Sequence, residues 1–202
     1  MLVVGAGVIG MEYATIYNAL DTHVTIVDSK DRFLDFVDNE IIEDFTHLLR
    51  DSDVTLRLNE TIESIEKRNN GQVVTRLQSG KAITADTVLF AAGRQGLTSD
   101  IGLENVGLTA DKRGRIKVNE RYCTDNPKIY AAGDVIGFPS LASTSMEQGR
   151  VAACDAFGAD LPSQTKLFPY GIYSVPEISM VGLTEQECQQ QDIPYEIGTA
   201  RF

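Results

Sequence analysis

Gly5-Ala6-Gly7-Val8-Ile9-Gly10 is the stretch of this 202-residue chain that decides the fold. The spacing of its three glycines is typical of the strand-to-helix turn that binds the pyrophosphate of a dinucleotide. The first glycine permits the turn, the second lets the backbone approach the phosphate, and the third lets the helix pack on the strand. Asp28 follows about 20 residues on, where a carboxylate accepts hydrogen bonds from the adenosine ribose. The pattern favours nucleotide binding over a glycine-rich turn in an unrelated α/β protein.

The residues around this turn predict a βαβ unit. Leu2–Val4 is a short apolar strand, and His23–Asp28 is a second strand rich in Val, Ile and Thr. Val8–Leu20 between them is predicted to be a helix, because large apolar residues recur at helical spacing. These residues are Ile9, Tyr13, Ile16, Tyr17 and Leu20.

Further elements extend this first domain to residue 92. Asp38 or Asn39 is predicted to cap the next helix. Its apolar face is formed by Ile41, Ile42, Phe45, Leu48 and Leu49. The predicted strands are Val54–Leu58, the hairpin pair Thr61–Lys67 and Gln72–Gln78 around Asn69-Asn70-Gly71, and the nearly all-apolar, buried Asp86–Ala92.

A second region and the start of a third follow, with predicted bounds of 93–164 and 165–202. Small and polar residues at Gly158–Gln164 predict a hinge between them, and Thr184 to Glu187 has the spacing of a capping box. The other predicted elements are strands at Ile116–Val118, Lys128–Ala132 and Leu167–Ser174, and a helix at Leu141–Phe157.

Composition narrows the function classes. Asp and Glu number 29 against 18 Lys and Arg, a formal net charge of -11. Because nucleic acids and anionic membranes attract proteins through cationic residues, this balance argues against both as partners. No apolar run approaches the roughly 20 residues of a membrane span. The scattered cysteines are typical of a reducing compartment, and neither they nor the two separated histidines predict a metal site.

The choice between NAD and NADP stays open in the sequence. A carboxylate at Asp28 suits the ribose hydroxyls of NAD and repels a 2′-phosphate. Lys30 and Arg32 lie just beyond it and are candidates to neutralise that phosphate. The alternative is that both are solvated loop charges.

A second motif runs from Thr124 to Asp134, where a turn leads into an apolar segment that ends in Gly133-Asp134. A carboxylate at the carboxyl end of a parallel strand lies where such folds bind ligands, and it can accept hydrogen bonds from a polyol. The alternative is that Asp134 only caps a turn.

Four motifs in order resemble the two-dinucleotide-binding flavoproteins of the pyridine nucleotide–disulfide oxidoreductase family. They are Gly5–Glu12, Leu89–Arg94, Thr124–Asp134 and Pro176–Glu185, and the resemblance covers essentially the whole chain. It implies an α/β fold: a Rossmann-like NAD(P)-binding domain (1–92) with an inserted β-meander, part of an FAD-binding domain (93–164), and the start of an α+β dimerisation domain (165–202).

The resemblance also implies roles for single residues. Asp28 would contact the nicotinamide dinucleotide at its ribose, Ile62 would lie near the adenine, and Gly93 near the nicotinamide. Asp134 would bind the FAD ribityl chain, and Ser140 to Ser143 would approach the flavin pyrimidine at a helix start. The implied cofactor-binding residues are Gly5, Ala6, Gly7, Val8, Ile9, Gly10, Glu12, Asp28, Ile62, Gly93, Asp134, Ser140, Leu141, Ala142 and Ser143.

Several of these residues also have a purely structural interpretation. The structural alternatives are a strand end for Gly93, a core residue for Ile62, a helix cap for Ser140 and an exposed helix carboxylate for Glu12. No side chain is identified as a catalytic acid or base.

Three stretches resemble one branch of the family, whose members pass hydride between NADPH and NAD through FAD with Si-face specificity. They are Pro139–Ser143, Gln148–Arg150 and Tyr170–Pro176. The resemblance therefore implies a cytoplasmic oxidoreductase using FAD, NAD and NADP, with a homodimeric or larger parent. The alternatives are a dithiol reductase similar to dihydrolipoamide dehydrogenase, or a nucleotide-binding remnant without activity.

The position of the glycine turn suggests that the chain is a fragment. We expect it to lack the N-terminal FAD segment of the family and most of the dimerisation domain, and to be inactive alone. A redox cysteine pair of the dithiol reductases would lie in that N-terminal segment.

Overall fold

The computed structural model describes residues 1–160 and 167–200. The chain divides into two compact units, Met1–Gly93 with Pro169–Phe202, and Arg94–Phe168. The predicted hinge at 158–164 falls partly outside the described residues. The assignment of residues 1–92, 93–164 and 165–202 to three functional domains stays a prediction.

A parallel sheet forms the centre of the first unit. Its strands are β1 (Leu2–Val4), β2 (Thr25–Val27), β3 (Thr55–Arg57) and β7 (Val88–Phe90), in the order β3-β2-β1-β7. All four were expected from the sequence. The prediction that the last strand is buried is wrong: Val88 and Leu89 are half-buried and Phe90 is exposed. Within the described residues, β7 lies at the edge of the sheet and pairs with β1 only.

Helix α1 (Val8–Ala19) buries a different face from the one that predicted it. Its large apolar residues are 39–69% exposed; they are Ile9, Tyr13, Ile16, Tyr17 and Leu20. The buried positions are Gly10, Met11, Ala14 and Thr15. Three of these four side chains are small, so the helix axis lies close to β1, and helical spacing alone could not identify this face.

Helix α2 (Asn39–Asp51) begins where the sequence predicted. Asp38 is the N-cap, and its Oδ1 accepts a hydrogen bond from the Glu40 N–H at 3.1 Å. Its Oδ2 accepts a second one from the Glu185 N–H at 2.9 Å. One carboxylate therefore serves two helix starts. Ile42, Phe45 and Leu49 of the predicted apolar face are buried, whereas Ile41 and Leu48 are exposed.

An antiparallel meander is inserted between β3 and β7. It consists of β4 (Ile62–Lys67), β5 (Val73–Leu77) and β6 (Ala82–Ala85), in that order. The hairpin between the first two confirms the prediction, while β6 was not foreseen. Leu77 packs with Leu2, Val4 and Val27 in a small core beneath the main sheet.

The chain after residue 168 returns to the first unit. Strands β8 (Tyr170–Ile172) and β9 (Ile178–Met180) pair antiparallel, and Ile172 and Ile178 are buried in the core that also contains Val3. The short helix α4 (Glu185–Gln190) has the predicted capping box: the Thr184 Oγ1 accepts from the Glu187 N–H at 3.2 Å, and the Glu187 carboxylate accepts from the Thr184 N–H at 2.8 Å.

The second unit is built mainly from turns around one helix, α3 (Ala142–Ala156), which the sequence predicted. The predicted strands at Ile116–Val118 and Lys128–Ala132 are wrong. Among the described residues, each segment pairs at a single residue, Ile116 with Ala110 and Tyr130 with Cys123, and forms no ladder. The apolar residues of these segments still enter the core, which contains Leu103, Leu108, Ile116 and Ala131.

No helix in the described part of the chain is long and apolar enough to cross a membrane.

Candidate functional site

Two of the three glycines in the turn before α1 are required by backbone contacts. Gly5 has φ +99°, and a Cβ there would lie 2.5 Å from the Ala91 carbonyl oxygen. A Cβ on Gly10 would lie 1.9 Å from the carbonyl oxygen of Gly5. Because both obstacles are backbone atoms, neither site accepts a side chain without opening the turn.

Gly7 differs from its neighbours because it faces open space. A Cβ there would meet nothing within 4 Å, and its φ of -74° is ordinary. Gly7 is the N-cap of α1, and its carbonyl accepts the Met11 N–H at 2.9 Å. The N–H groups of the first helical turn have no partner within the helix, so this end attracts an anion. The geometry therefore leaves room for a phosphate beside Gly7.

Asp28 ties the glycine turn to the end of β2. Its Oδ2 accepts the Ala6 N–H at 2.6 Å, and its Oδ1 accepts the Lys30 N–H at 2.9 Å. An ionised carboxylate has about four acceptor positions, so some remain for a ribose hydroxyl. Sequence reasoning gave Asp28 a ligand but missed this structural role, which nothing in the motif spacing signals.

The two cations beyond Asp28 both have partners nearby in the chain. Lys30 Nζ lies 2.7 Å from Asp35 Oδ2 in an exposed ion pair. The Arg32 guanidinium donates to the Asn39 side-chain oxygen. The interpretation of these residues as merely solvated charges is therefore incomplete.

Three other predicted contacts of the dinucleotide have partners or surroundings that the structure defines. Glu12 accepts the Tyr173 N–H at 2.9 Å. Ile62 is half-buried and packs against the small core around Leu77. Gly93 has φ +113° with open space where a Cβ would stand. Glu12 thus has a structural partner that sequence spacing could not show, and the ligand roles of all three remain proposals.

In the second unit, Gly133 and Asp134 form the start of a 3₁₀ turn. Gly133 has φ +83°, and its N–H donates to the Gln148 side-chain oxygen at 2.7 Å. The side chain of Asp134 is 51% exposed and accepts a hydrogen bond from Arg94. Gln148 is buried on α3. Sequence reasoning missed both partners, Gln148 and Arg94. A glutamine within a predicted helix does not signal such a contact.

The start of α3 is fixed by a buried threonine. Thr144 Oγ1 donates to the Pro139 carbonyl at 3.0 Å and accepts the Leu141 N–H at 3.3 Å. Ser140 does not cap the helix, since Leu141 occupies the N-cap position and the Ser140 hydroxyl donates to the Gly137 carbonyl at 3.1 Å. Ala142 and Ser143 are exposed in the first helical turn. The N–H groups of this first turn have no partner within the helix, so the start of α3 attracts negative charge.

A polar network joins α3 to the segment that leads into Asp134. Tyr130 Oη donates to Asp155 Oδ2 at 2.8 Å, and Arg121 donates to Asp155 Oδ1 at 2.7 Å. The hydrogen bond from Arg121, followed by that from Tyr130, lowers the pKa of Asp155. The hydrogen bond to Asp155, aided by burial, raises the pKa of Tyr130 to about 12.

This network predicts how the stability of the second unit depends on pH. The folded pKa of Tyr130 lies above its ordinary value of 10.0, so its contribution is complete below pH 10 and is lost as the pH rises towards about 12. The folded pKa of Asp155 is lowered, so its contribution is lost as the pH falls through that value. As the pH rises above 10, the free energy of unfolding should fall less in Tyr130→Phe than in the unsubstituted chain, because the variant has no phenol to ionise. Urea denaturation at a series of pH values measures this difference.

Absorbance titration of tyrosinate provides the control. In Asp155→Asn the ionisation of Tyr130 should move down towards its ordinary pKa, because the carboxylate that opposes it is gone. An unchanged titration curve in that variant would show that Asp155 does not set the pKa.

The cysteines do not form pairs. Cys123, Cys154 and Cys188 are free, half-buried thiols. Among the residues that the structure describes, no group of three or more His, Cys, Asp or Glu is placed to hold a metal ion.

A parallel sheet with a glycine turn at the end of its central strand is typical of dinucleotide-binding α/β folds. The chain belongs to the pyridine nucleotide-disulphide oxidoreductase family, whose model matches residues 1–149. It is 52% identical over 202 residues to the soluble pyridine nucleotide transhydrogenase of Mycobacterium tuberculosis, covering 100% of this chain and 43% of that protein.

Solved structures agree with this family. LpdA from Mycobacterium tuberculosis superimposes with a TM-score of 0.86 at 29% identity, covering 94% of this chain and 41% of that one. The HOCl-induced flavoprotein disulfide reductase RclA from Escherichia coli gives a TM-score of 0.83 at 30% identity, covering 94% of this chain and 44% of that one. The chain therefore spans less than half the length of each of these proteins.

Proposed function

We propose that this chain supplies the NAD(P)-binding part and a flavin-facing part of a transhydrogenase that passes hydride between NADPH and NAD through FAD. The observation that carries the proposal is the open Gly7 at the start of α1, enclosed between Gly5 and Gly10 and tied to Asp28. The similarity of the whole chain to soluble pyridine nucleotide transhydrogenase supports the choice of reaction. Si-face specificity belongs to the same proposal.

The first unit would hold the nicotinamide dinucleotide. Its pyrophosphate would lie against Gly7, where the N–H groups of the α1 N-terminus stabilise negative charge. Asp28 would accept hydrogen bonds from the ribose while its bond to the Ala6 N–H keeps the turn in place. These residues position the nucleotide and do no acid–base chemistry.

The second unit would hold part of the flavin. Asp134 presents a half-exposed carboxylate on a backbone fixed by Gln148, as a ribityl hydroxyl requires. Ser140, Leu141, Ala142 and Ser143 surround the start of α3, whose free N–H groups favour negative charge. FAD, when bound, supplies the hydride-accepting and hydride-donating chemistry. The protein contributes orientation and electrostatic stabilisation.

The second candidate is a dithiol reductase. The similarity to RclA, a flavoprotein disulfide reductase by its name, supports it. The three cysteines of this chain are unpaired, so they supply no redox pair. The third reading is a polypeptide that binds nucleotide without turnover, and it applies to the 202 residues taken alone. We expect those residues by themselves to show little or no activity. A cytoplasmic location and a homodimeric or larger parent are part of the proposal.

The proposal can be tested with a chimera. The chain would replace the matched 202 residues of the Mycobacterium tuberculosis protein, and NADPH-dependent reduction of the thio analogue of NAD would be measured. We expect the chimera to carry bound flavin and to catalyse this reaction. The chain alone should neither retain flavin nor catalyse the reaction at a comparable rate.

Asp134→Ala in the same chimera tests the proposed flavin contact. It should lose flavin absorbance together with activity, because the carboxylate proposed to bind the ribityl chain is gone. A folded chimera with bound flavin that does not reduce the NAD analogue would contradict the proposal.

A further inference from the structure

The loop after Asp28 is held on a fixed backbone beside the proposed ribose site. Phe33, Leu34 and Val37 are 3%, 4% and 1% exposed, and all three belong to the main core of the first unit. The Val37 N–H donates to the Leu34 carbonyl at 2.9 Å and closes a turn. Because these anchors are buried, Asp35 between them and Arg32 beside Phe33 extend from a backbone with little freedom.

Lys30 is fixed at both of its peptide groups. Its N–H donates to Asp28 Oδ1 at 2.9 Å, and its carbonyl accepts the Asn59 N–H at 2.9 Å. Only its side chain can move. The ammonium group is paired with Asp35 at 2.7 Å, and the two side chains are 62% and 57% exposed. The pair is therefore accessible and can be exchanged for another anion.

Arg32 is held in a comparable way. Its guanidinium donates to the side chain of Asn39, the first residue of α2, and it lines a cleft of about 260 Å³ with Phe33 and Ile42. Both candidate cations for a 2′-phosphate thus already have an acceptor, Asp35 in the loop for Lys30 and Asn39 at the start of α2 for Arg32. The carboxylate of Asp28 adds a repulsive charge at the same place, whereas the 2′-hydroxyl of NAD needs only an acceptor.

We propose that Asp35 is a specificity-determining residue, which withholds Lys30 from the 2′-phosphate of NADP(H) and thereby favours NAD(H). NADP(H) binds when Lys30 leaves Asp35 and pairs with the phosphate. Breaking the Lys30–Asp35 pair therefore weakens the binding of NADP(H) but not that of NAD(H). The inference rests on the proposed function of the turn Gly5–Gly10.

Asp35→Asn tests the proposal in the 202-residue chain. Dissociation constants for NADH and NADPH would be measured from the fluorescence of the reduced nicotinamide. Exposed ion pairs contribute up to about 1 kcal/mol, so we expect NADPH to bind about three- to fivefold more tightly, with NADH changed by less than about twofold. High salt should reduce the difference between variant and parent, because it screens the exposed pair.

Lys30→Ala should act in the opposite direction. It removes the cation that meets the phosphate, so NADPH affinity should fall about tenfold while NADH affinity is kept. The double variant with Asp35→Asn should match Lys30→Ala, since Asp35 acts only through Lys30.

Asp31→Asn is the matched control, because it removes one negative charge from the same loop and leaves the Lys30–Asp35 pair in place. An equal gain in NADPH affinity in this variant would mean that net charge, and not the ion pair, sets the preference, and it would overturn the proposal. If Asp35→Asn binds NADH but has the same dissociation constant for NADPH as its parent, the proposal is overturned as well. The proposed function would not be affected by that result. Failure of the unsubstituted chain to bind NADH would overturn the proposed function and this inference together.

Discussion

Gly10→Ala is expected to disrupt the turn before α1 and to abolish NADH binding by the chain. The new Cβ would lie 1.9 Å from the carbonyl oxygen of Gly5 and 3.5 Å from Val3 Cγ1. The first obstacle is backbone in a tight turn, so it cannot be relieved by a rotamer change. Overpacking in a core costs about 1–3 kcal/mol and occasionally more. We expect at least about 3 kcal/mol to be lost from the free energy of unfolding, measured by urea denaturation.

Gly7→Ala is the matched control for this prediction. Its φ is ordinary and its Cβ meets nothing, so the loss of stability should be less than about 1 kcal/mol, the usual cost of a poorer N-cap. NADH affinity should nevertheless fall about 10- to 100-fold, because the methyl group occupies the approach of the phosphate to the N–H groups. A Gly7→Ala chain that binds NADH like its parent would show that the phosphate lies elsewhere.

Gly96→Ala is expected to have an effect of similar size on the second unit. A Cβ on Gly96 would lie 2.1 Å from the Gly114 carbonyl oxygen, and one on Gly114 would lie 2.3 Å from the Gly96 carbonyl oxygen. The Gly96 N–H donates to the Arg113 carbonyl at 2.8 Å, and the buried Thr98 hydroxyl donates to the Gly114 carbonyl at 3.0 Å. The two segments therefore touch through their backbones, and a methyl group between them must separate them.

The expected loss is again at least about 3 kcal/mol, with faster amide hydrogen exchange across the second unit. Gly149→Ala in α3 serves as the comparison, because it adds a methyl group in the same unit where no atom lies within 4 Å. Replacing a helix-interior glycine by alanine stabilises by about 0.5–1 kcal/mol, so the two variants should change stability in opposite directions. Equal stability of Gly96→Ala and its parent would contradict the backbone contact.

Local patterns identified most of the first unit. The glycine turn, the strands on either side of it, the Asp38 cap and the Thr184 capping box are all specified by residues within a few positions of each other. The hairpin around Gly71 has the same origin, because turn chemistry and alternation act over short distances. These features are therefore readable from the chain without knowledge of its neighbours.

The errors arose where packing overrides the local pattern. The helical spacing of Ile9, Tyr13 and Ile16 predicted α1 correctly but identified its exposed side, since the close approach to β1 selects small residues. Ile116–Val118 and Lys128–Ala132 have the composition of strands, yet in the part of the chain that the structure describes each has a pairing partner at one residue only. A strand needs a ladder as well as a propensity, and the ladder depends on distant segments.

The sequence by itself determined the family, the central βαβ unit, the glycine turn before α1 and the presence of Asp28 and Asp134 at the ends of apolar segments. The tertiary structure alone decided how those residues are held: Asp28 by the Ala6 N–H, Gly133 by Gln148, Lys30 by Asp35 and Gly96 by Gly114. The physical reason is that motifs record which groups a short segment carries. Hydrogen bonds and steric contacts depend on distances in space, which exist only after remote parts of the chain have packed.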